Sequence, residues 1–362
     1  MAIKVAIRKR LSRQFQLEAE FESRDGCLGI LGASGCGKSM TLKCIAGIER
    51  PDEGHISVKG RVLFDSARGI NLKPQDRRVG YLFQNYALFP RMTALGNIVA
   101  GLPGRRAENI ARARQWLDRF GLGGLENRLP SQLSGGQQQR AALARMLIRS
   151  PEAILLDEPF SALDSFLREQ MQLQLLEMLG DNRDVIMVTH SRDEVYKIAD
   201  ELLVMDNGRI FGQGRVRDIF ANPRTTLAAR LTGCKNISPA IPAGTAPDGA
   251  QEVYAKDWGL VLRLPVSAGG EGRGRITHIG VRAHDFVPVP PGTAGGFNQV
   301  RIAVATRSES PFEHIVLFTN ADSADQEGRQ ALWWLYSKYA GINALPERLF
   351  VPPAAILPLS DA

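Results

Sequence analysis

Eight residues near the start of the chain have the types and the spacing of a nucleotide-phosphate site. In chain order they are Gly32, Ala33, Ser34, Gly35, Cys36, Gly37, Lys38 and Ser39. They fit the pattern G-x-x-x-x-G-K-S/T and lie between an apolar run, Cys27 to Leu31, and a helical stretch. In such a loop, backbone N–H groups surround phosphates at a helix N-terminus, Lys38 reaches the β- and γ-phosphates, and Ser39 offers an oxygen to Mg²⁺. The loop predicts ATP and Mg²⁺ as ligands; a glycine-rich turn without a ligand is the alternative.

Two adjacent carboxylates follow a second apolar run. Asp157 ends the run Ala153 to Asp157, and Glu158 comes next. We expect Asp157 to hold the Mg²⁺ shell and Glu158 to polarise the attacking water as a general base. Acids commonly end strands and start turns, so this pair predicts a hydrolytic site only together with the phosphate loop.

Two further polar residues follow strand-like runs. His190 comes after the run Asp184 to Val188 and Thr189, where its side chain reaches the top of the same sheet and senses a γ-phosphate. Gln84 ends another strand-like run, YLFQ, and could coordinate Mg²⁺ or orient water through its side-chain amide. Either residue alone is more often structural, so both predictions depend on the phosphate loop.

A second helix start has the residues of an anion site. Ser134, Gly135, Gly136 and Gln137 precede good helix formers, with Ser134 as the N-cap. The chain therefore has two phosphate-seeking helix ends but one lysine-bearing loop. Both ends cannot serve one nucleotide without a further reason, so the role of residues 134–137 is not explained by the phosphate loop. The alternative to an anion site here is an ordinary tight turn before a helix.

The elements that position these residues alternate between apolar runs and helical patterns up to about Ala229. Continuous apolar runs at 27–31, 153–157, 184–188 and 201–205 are typical of strands buried on both faces. This alternation predicts an α/β domain with a largely parallel sheet over residues 1–232.

Two stretches depart from this alternation. Between about 90 and 150, Ile110, Ala113 and Leu117 recur at helical spacing, which predicts a helical subdomain. After Thr232 the chain is rich in Pro and Gly, with short strand-like runs. We therefore predict a small β-rich domain over residues 233–362.

Length and composition exclude several classes of protein. A chain of 362 residues is too long for one ordinary core, and 44% hydrophobic with 23% charged residues is typical of a soluble protein. We find neither an apolar run of about eighteen residues nor a signal peptide. The net charge of +7 is scattered among acids, which favours a solvated surface over a nucleic-acid site. The four cysteines lack CxxC spacing, so we expect reduced, structural thiols.

The order of these motifs resembles that of ABC-transporter ATPase subunits over about the first two thirds of the chain. The shared strings are the phosphate loop, the Gln84 loop, LSGGQ at 133–137, ILLDEP at 154–159, SALD at 161–164 and the His190 switch. LSGGQ is the defining string of that family. The resemblance implies a P-loop NTPase fold and a head-to-tail homodimer. In that dimer, Ser134, Gly135, Gly136 and Gln137 of one subunit close over the ATP in the other subunit's phosphate loop.

The resemblance also implies how the site communicates with its surroundings. Gln84 would link the nucleotide to the helical lobe, which docks a coupling helix of a membrane permease. The family stacks the adenine on an aromatic residue near the first strands, and both Phe15 and Phe21 are candidates. Residues 13–21 alternate like a strand, and burial of both rings is the alternative. ATP binding and hydrolysis would close and reopen the pair of subunits.

Within the family, the chain looks like bacterial importer subunits. Residues 61–84 are most similar to molybdate-type importers, with sulfate-type ones next, and the segment containing Ile279 to Phe286 is similar to the OB-like (TOBE or Mop-like) regulatory domains that follow importer cassettes. The resemblance implies a peripheral position at the cytoplasmic face of the cell membrane, an indirect solute-binding protein partner and no nucleic acid. Import of sulfate, polyamine, sugar or iron is the alternative. A soluble ABC ATPase that acts on nucleic acid or ribosomes is the second alternative. Such proteins usually carry two cassettes or a long coiled coil, whereas this sequence shows a single set of motifs and no long heptad run, which favours the importer.

Overall fold

The chain divides into two compact units, Met1–Val216 and Arg217–Ala362. The computed structural model describes residues 3–24, 26–161, 163–179, 184–265, 275–290, 292, 296–323, 330–342 and 344–361. Two short helices, α7 (Val216–Ala221) and α8 (Thr226–Leu231), occupy the stretch between this division and the predicted boundary after residue 232. That boundary stays a prediction.

The first unit is built on one large sheet of eleven strands in the described residues. Its strands are β1 (Ile3–Arg10), β2 (Gln16–Ser23), β3 (Cys27–Leu31), β4 (Glu53–Val58), β5 (Arg61–Asp65), β6 (Ile70–Asn71), β7 (Val79–Leu82), β8 (Ala153–Asp157), β9 (Asp184–Thr189), β10 (Glu201–Asp206) and β11 (Arg209–Arg215). In the described residues their order is β6-β5-β4-β1-β2-β11-β10-β3-β9-β8-β7. Strands β10, β3, β9, β8 and β7 run parallel, whereas β1, β2, β4, β5 and β6 pair antiparallel. The four predicted buried strands are confirmed.

The register of the parallel strands brings their carboxyl ends together. Leu31 pairs with Thr189, and Asp157 pairs with Val188. On the other side of β8, Leu82 pairs with Leu156. The loops that follow these four strands therefore meet at one edge of the sheet, which is where open α/β sheets bind ligands.

Helices cover the sheet and form a lobe between β7 and β8. They are α1 (Lys38–Ala46), α2 (Ala94–Val99), α3 (Arg106–Arg119), α4 (Gly135–Leu147), α5 (Ser165–Leu179) and α6 (Arg192–Ile198). In the lobe, α2 packs against α3 and α4, and the core includes Ala113, Leu117 and Phe120. Of the apolar residues at helical spacing, Ala113 and Leu117 are buried and Ile110 is partly buried. The bounds of the helical subdomain, about 90–150, stay a prediction.

The second unit consists mainly of antiparallel strands. They are β12 (Asn236–Thr245), β13 (Gln251–Ala255), β14 (Leu260–Arg263), β15 (His278–Val281), β16 (Val287–Pro288), β17 (Gln299–Glu309), β18 (Glu313–Asn320), β19 (Leu332–Ser337), β20 (Arg348–Phe350) and β21 (Ile356–Leu359). In its described part they form two sheets, β14-β13-β12-β15-β21 and β16-β20-β17-β18-β19. One apolar core joins both, with Val253 and Ile279 from the first sheet and Phe318 and Trp334 from the second. The unit is β-rich as predicted, and its OB-like identity stays a prediction.

Two expectations from composition concern cysteines and membrane spans. All four cysteines are free and buried, and burial raises the pKa of Cys27 and Cys44 to about 12. Such thiols stay protonated and unreactive at neutral pH. Among the described residues, no helix is long and apolar enough to cross a membrane.

Candidate functional site

The phosphate loop connects β3 to α1 and requires glycine at two of its positions. A Cβ atom at Gly32 would lie 2.2 Å from the carbonyl oxygen of Met205, and Gly37 has a φ of 109°, which L side chains rarely adopt. Gly37 is the N-cap of α1, where no side chain caps the helix and the first turn has no acid. The first N–H groups of α1 therefore lack a side-chain acceptor, as an anion site requires.

Lys38 holds its ammonium group inside the loop. Its Nζ donates to the carbonyl oxygens of Gly32 at 2.8 Å and Ala33 at 2.9 Å, and the residue is 5% exposed. Its recorded partners in the described part of the chain include no carboxylate. A buried ammonium of this kind is costly unless hydrogen bonds satisfy it. A phosphate at the loop would give this cation its counter-charge.

Ser39 and Asp157 meet at the end of β8. The Ser39 hydroxyl donates to Asp157 Oδ1 at 2.7 Å, and the Tyr81 hydroxyl donates to Oδ2 at 2.8 Å. Hydroxyl and carboxylate oxygens are the ligand types that Mg²⁺ prefers, so these residues fit the predicted ion. Burial, and next the charge of Asp157, raise the pKa of Tyr81 well above its usual range, so Tyr81 remains a neutral donor.

Tyr81 was not predicted from the sequence to belong to the site. Its backbone pairs with Leu155, two residues before Asp157, so its side chain and that of Asp157 lie on the same face of the sheet. In the sequence, β7 (Val79–Leu82) is a short apolar run, and such a run does not distinguish a site residue from a core residue.

Glu158 contacts two other residues of the predicted site, Gln84 and His190. Its Oε2 accepts from Gln84 Nε2 at 3.2 Å, and its Oε1 lies 3.3 Å from Nδ1 of His190. The backbone of Glu158 is left-handed, with a φ of 46°, and its N–H donates to Val188 O at 2.9 Å. Such a conformation is uncommon outside glycine and is frequent at functional sites. A carboxylate held by an amide and an imidazole at a partly open surface is chemically suited to act on a water molecule.

The second helix start is separate from this cluster. At α4, Ser134 Oγ accepts from the N–H of Gln137 at 3.3 Å, and Gln137 Oε1 accepts from the N–H of Ser134 at 2.9 Å. This reciprocal pair is a capping box. Among the described residues, no recorded hydrogen bond or ion pair joins residues 134–137 to the phosphate loop of the same chain.

The two glycines of this helix start differ in what surrounds them. A Cβ at Gly136 would lie 2.9 Å from Leu167 Cδ2, so close packing inside the chain explains this glycine. A Cβ at Gly135 would meet only Leu163 Cδ2, at 3.8 Å, which is an ordinary contact. Nothing in the described part of the chain therefore requires glycine at 135. Within SALD, Ala162 lies outside the described residues.

Of the two candidate adenine partners, Phe15 lies beside the loop. A Cβ at Gly37 would lie 3.6 Å from Cζ of Phe15, whose side chain is half-buried. Phe21 is 4% exposed and belongs to the core of the first unit. Of these two rings, that of Phe15 has exposed surface next to the phosphate loop.

Comparison with known proteins identifies the family. A family model described as ABC transporter matches residues 20–161. Over 275 residues the chain is 38% identical to the Fe(3+) ions import ATP-binding protein FbpC of Brucella suis, and the match covers 74% of each protein. The chain belongs to the ABC transporter ATP-binding family. It is therefore an ATP-hydrolysing subunit of a transporter.

Two further matches agree with membership of the ABC family. Over 220 residues the chain is 44% identical to the sulfate/thiosulfate import ATP-binding protein CysA 2 of Chromobacterium violaceum, covering 59% of this chain and 58% of that protein. The dimeric ATP-binding cassette MJ0796, in a post-hydrolysis state with ADP and Pi, aligns with a TM-score of 0.51 and 28% identity over 59% of this chain and 99% of that one. The predicted P-loop NTPase fold of the ABC type is confirmed, and so is ATP as its nucleotide.

Proposed function

We propose that this ABC ATPase powers the import of a solute through a separate membrane permease, as one of two identical subunits at the cytoplasmic face of the cell membrane. The observation that carries the catalytic part is the contact of Glu158 with both Gln84 and His190, beside the Ser39–Asp157 pair. The importer part is supported by the two relatives, both of which are named as import ATP-binding proteins.

In the proposed reaction, the loop and α1 hold the β- and γ-phosphates through backbone N–H groups and Lys38. Ser39 and Asp157 would hold Mg²⁺, with Gln84 reaching it through its amide; when bound, the ion neutralises charge on the phosphates. Glu158 accepts a proton from water as the water oxygen bonds to the γ-phosphorus and ADP leaves. His190 orients the carboxylate and contacts the γ-phosphate.

The second helix start is explained by a head-to-tail pair. Ser134 and Gly135 are exposed, and Gly135 has no steric reason within the described chain to be glycine. Backbone that approaches a phosphate closely does require glycine. We therefore propose that Ser134, Gly135, Gly136 and Gln137 close over the ATP of a second copy. The dimeric state of the matched cassette supports this arrangement.

The permease is proposed to dock in a groove between the sheet and the helical lobe. This groove, of about 830 Å³, is lined by Tyr81, Phe89 and Arg149 among others. Phe89 is 48% exposed, which is high for so large an apolar side chain. An apolar surface bordered by arginines suits an amphipathic helix with acidic residues.

One loop joins this groove to the catalytic carboxylate. Gln84 contacts Glu158 at one end of the loop, and Phe89 lines the groove at the other. Arg145 of α4 holds the middle of this loop, because its guanidinium donates to the carbonyl oxygens of Tyr86 at 2.9 Å and Ala87 at 2.7 Å. Tyr86 and Ala87 both have left-handed backbone conformations. Rotation of the lobe would therefore move Gln84 relative to Glu158, which provides a route for coupling.

For the solute we propose an oxyanion, with molybdate as the first candidate from the resemblance of residues 61–84 and sulfate as the second. The sulfate/thiosulfate relative supports an oxyanion, whereas the Fe(3+) relative supports the alternative of iron import. Uptake by vesicles that contain this chain and its permease distinguishes them. Radiolabelled molybdate, sulfate, ferric ion, spermidine and a sugar such as maltose are supplied separately. Uptake of ferric ion, spermidine or sugar without uptake of either oxyanion would overturn the oxyanion assignment.

The catalytic proposal is tested with Glu158→Gln, which keeps the shape of the side chain and removes its basicity. We expect ATP to bind, turnover to fall by about 10²- to 10⁴-fold and a closed dimer to accumulate. Glu177→Gln is the matched control, because Glu177 is an exposed residue of α5. Wild-type turnover by Glu158→Gln would remove Glu158 from the role of base.

A further inference from the structure

Glu194, in the first turn of α6, is a buried carboxyl group that the proposed reaction does not use. The residue is 4% exposed, and burial raises the pKa of its side chain. Charged residues of this kind are seldom buried without a specific partner. Its partner is the Thr189 hydroxyl, which donates to Glu194 Oε2 at 2.5 Å.

The contacts of Glu194 form a modified capping box. In an ordinary box, the glutamate at the third helical position reaches back to the N–H of the N-cap residue. Here Ser191 is the N-cap and its Oγ accepts from the N–H of Glu194 at 3.3 Å, but the N–H of Ser191 donates to Thr189 Oγ1 at 3.0 Å. The Thr189 hydroxyl is thus inserted into the box, between the Ser191 amide and the Glu194 carboxylate.

The residues joined by these hydrogen bonds lie on both sides of His190 in the sequence. Thr189 precedes His190 and Ser191 follows it, so the ring of hydrogen bonds fixes the backbone on both sides of the histidine. The His190 side chain itself is 58% exposed, and its recorded polar contact is with Glu158 Oε1, at 3.3 Å. Since few side-chain contacts hold the imidazole, its direction depends on the backbone that carries it.

Other charged groups near Glu194 do not replace this link. Arg168 of α5 and His190 favour the ionised carboxylate, whereas Glu158 disfavours it. The hydrogen bond from Thr189 is the direct contact among these interactions, and it is the one that connects Glu194 to the histidine loop.

We propose that Glu194 is a positioning residue for His190, acting through the Thr189 hydroxyl to hold the imidazole against Glu158. The inference rests on the proposed function, in which His190 orients Glu158 and contacts the γ-phosphate. It assigns Glu194 a role in turnover, because its hydrogen bond leads to the loop that carries His190 and not to Lys38 or Ser39.

The first test compares three variants by steady-state ATPase kinetics. Glu194→Ala should lower kcat by about 10- to 100-fold, as expected for a misplaced catalytic group, while KM for ATP stays within about threefold. Glu194→Gln keeps an oxygen that accepts from Thr189 and should retain most of kcat. Asp193→Asn is the matched control, because Asp193 is in the same helical turn but its side chain is 80% exposed. Equal losses in Glu194→Ala and Asp193→Asn would overturn the proposal.

A double-mutant cycle separates positioning from a general structural role. If Glu194 acts through His190, Glu194→Ala should cause no further loss of kcat in the His190→Ala background. A further loss there of tenfold or more would contradict the proposal. Should Glu194→Ala fail to fold, Thr189→Val breaks the same bridge from its other end and takes its place in the cycle.

A spectroscopic measurement keeps this inference separate from the proposed function. The ring proton resonance of His190 is identified by its disappearance in His190→Ala, and it should shift in Glu194→Ala but not in Asp193→Asn. An unchanged resonance in Glu194→Ala overturns the positioning role, whatever the turnover. Normal turnover in Glu158→Gln would instead overturn the proposed reaction and leave the resonance result intact.

Discussion

Replacement of Gly135 by alanine should make the isolated chain more stable and less active. Gly135 is the first residue of α4 and is not in the left-handed region, and the added Cβ meets only Leu163 Cδ2 at 3.8 Å. Alanine at such a position restricts the unfolded chain, so the free energy of unfolding should rise by about 0.4–1 kcal/mol. In the proposed dimer the same methyl group points at the triphosphate of the other copy. A displacement of about 1 Å there lowers turnover by up to about 10²-fold.

The neighbouring glycine provides the matched comparison. A Cβ at Gly136 lies 2.9 Å from Leu167 Cδ2, and overpacking of this kind costs about 1–3 kcal/mol. After the entropic gain of about 0.4–1 kcal/mol is subtracted, Gly136→Ala should be neutral to destabilising by about 2.5 kcal/mol. Stability and turnover therefore change in opposite directions at 135 but not at 136.

Both variants are measured by urea unfolding without nucleotide, followed by circular dichroism, and by steady-state ATPase activity. Stability is measured without nucleotide so that ATP-driven dimerisation does not contribute. Wild-type turnover in Gly135→Ala would refute the argument that this surface closes on ATP. A fall in its unfolding free energy would refute the argument that nothing in the chain requires the glycine.

Two further predictions concern nucleotide and ion binding. Phe15→Ala should weaken ATP binding by about 1–3 kcal/mol, roughly 5- to 150-fold in Kd, while Phe15→Trp retains it and the binding of inorganic tripolyphosphate is unchanged. Calorimetric titration checks this, and an equal loss for both ligands would contradict stacking on the base. Tyr81→Phe removes the donor at 2.8 Å from Asp157 Oδ2 and should raise the Mg²⁺ concentration for half-maximal ATPase activity by about 10- to 100-fold. An unchanged Mg²⁺ titration would contradict that role of Tyr81.

The parts of the site that the sequence predicts best follow from strand periodicity. The runs that became β3, β8 and β9 are continuously apolar because these strands are buried on both faces. Once they are parallel neighbours, the residues after them must meet at one edge. The contact of His190 with Glu158 follows from this rule, although the two are far apart in the sequence.

Other features depend on packing that periodicity does not contain. The sequence does not distinguish Phe15 from Phe21 as the partner of the adenine. In the structure, Phe21 lies within β2 and its side chain is buried, whereas Phe15 precedes that strand and lies beside Gly37. The bridge from Thr189 to Glu194 was not predicted either. Ser191 and Glu194 have the spacing of an ordinary capping box, and only the structure reveals that a threonine is inserted between them.

Closure of the catalytic site between two copies can be detected by inter-subunit cross-linking. Ser34 and Ser134 are exposed, whereas the four native cysteines are buried, so the variants Ser34→Cys and Ser134→Cys each add one accessible thiol. Both are made in the Glu158→Gln background, mixed with ATP, and treated with a short bismaleimide. We expect a cross-linked dimer that requires ATP and both variants together. A mixture that yields no cross-linked dimer, or one that forms equally with either variant alone, would contradict this closure.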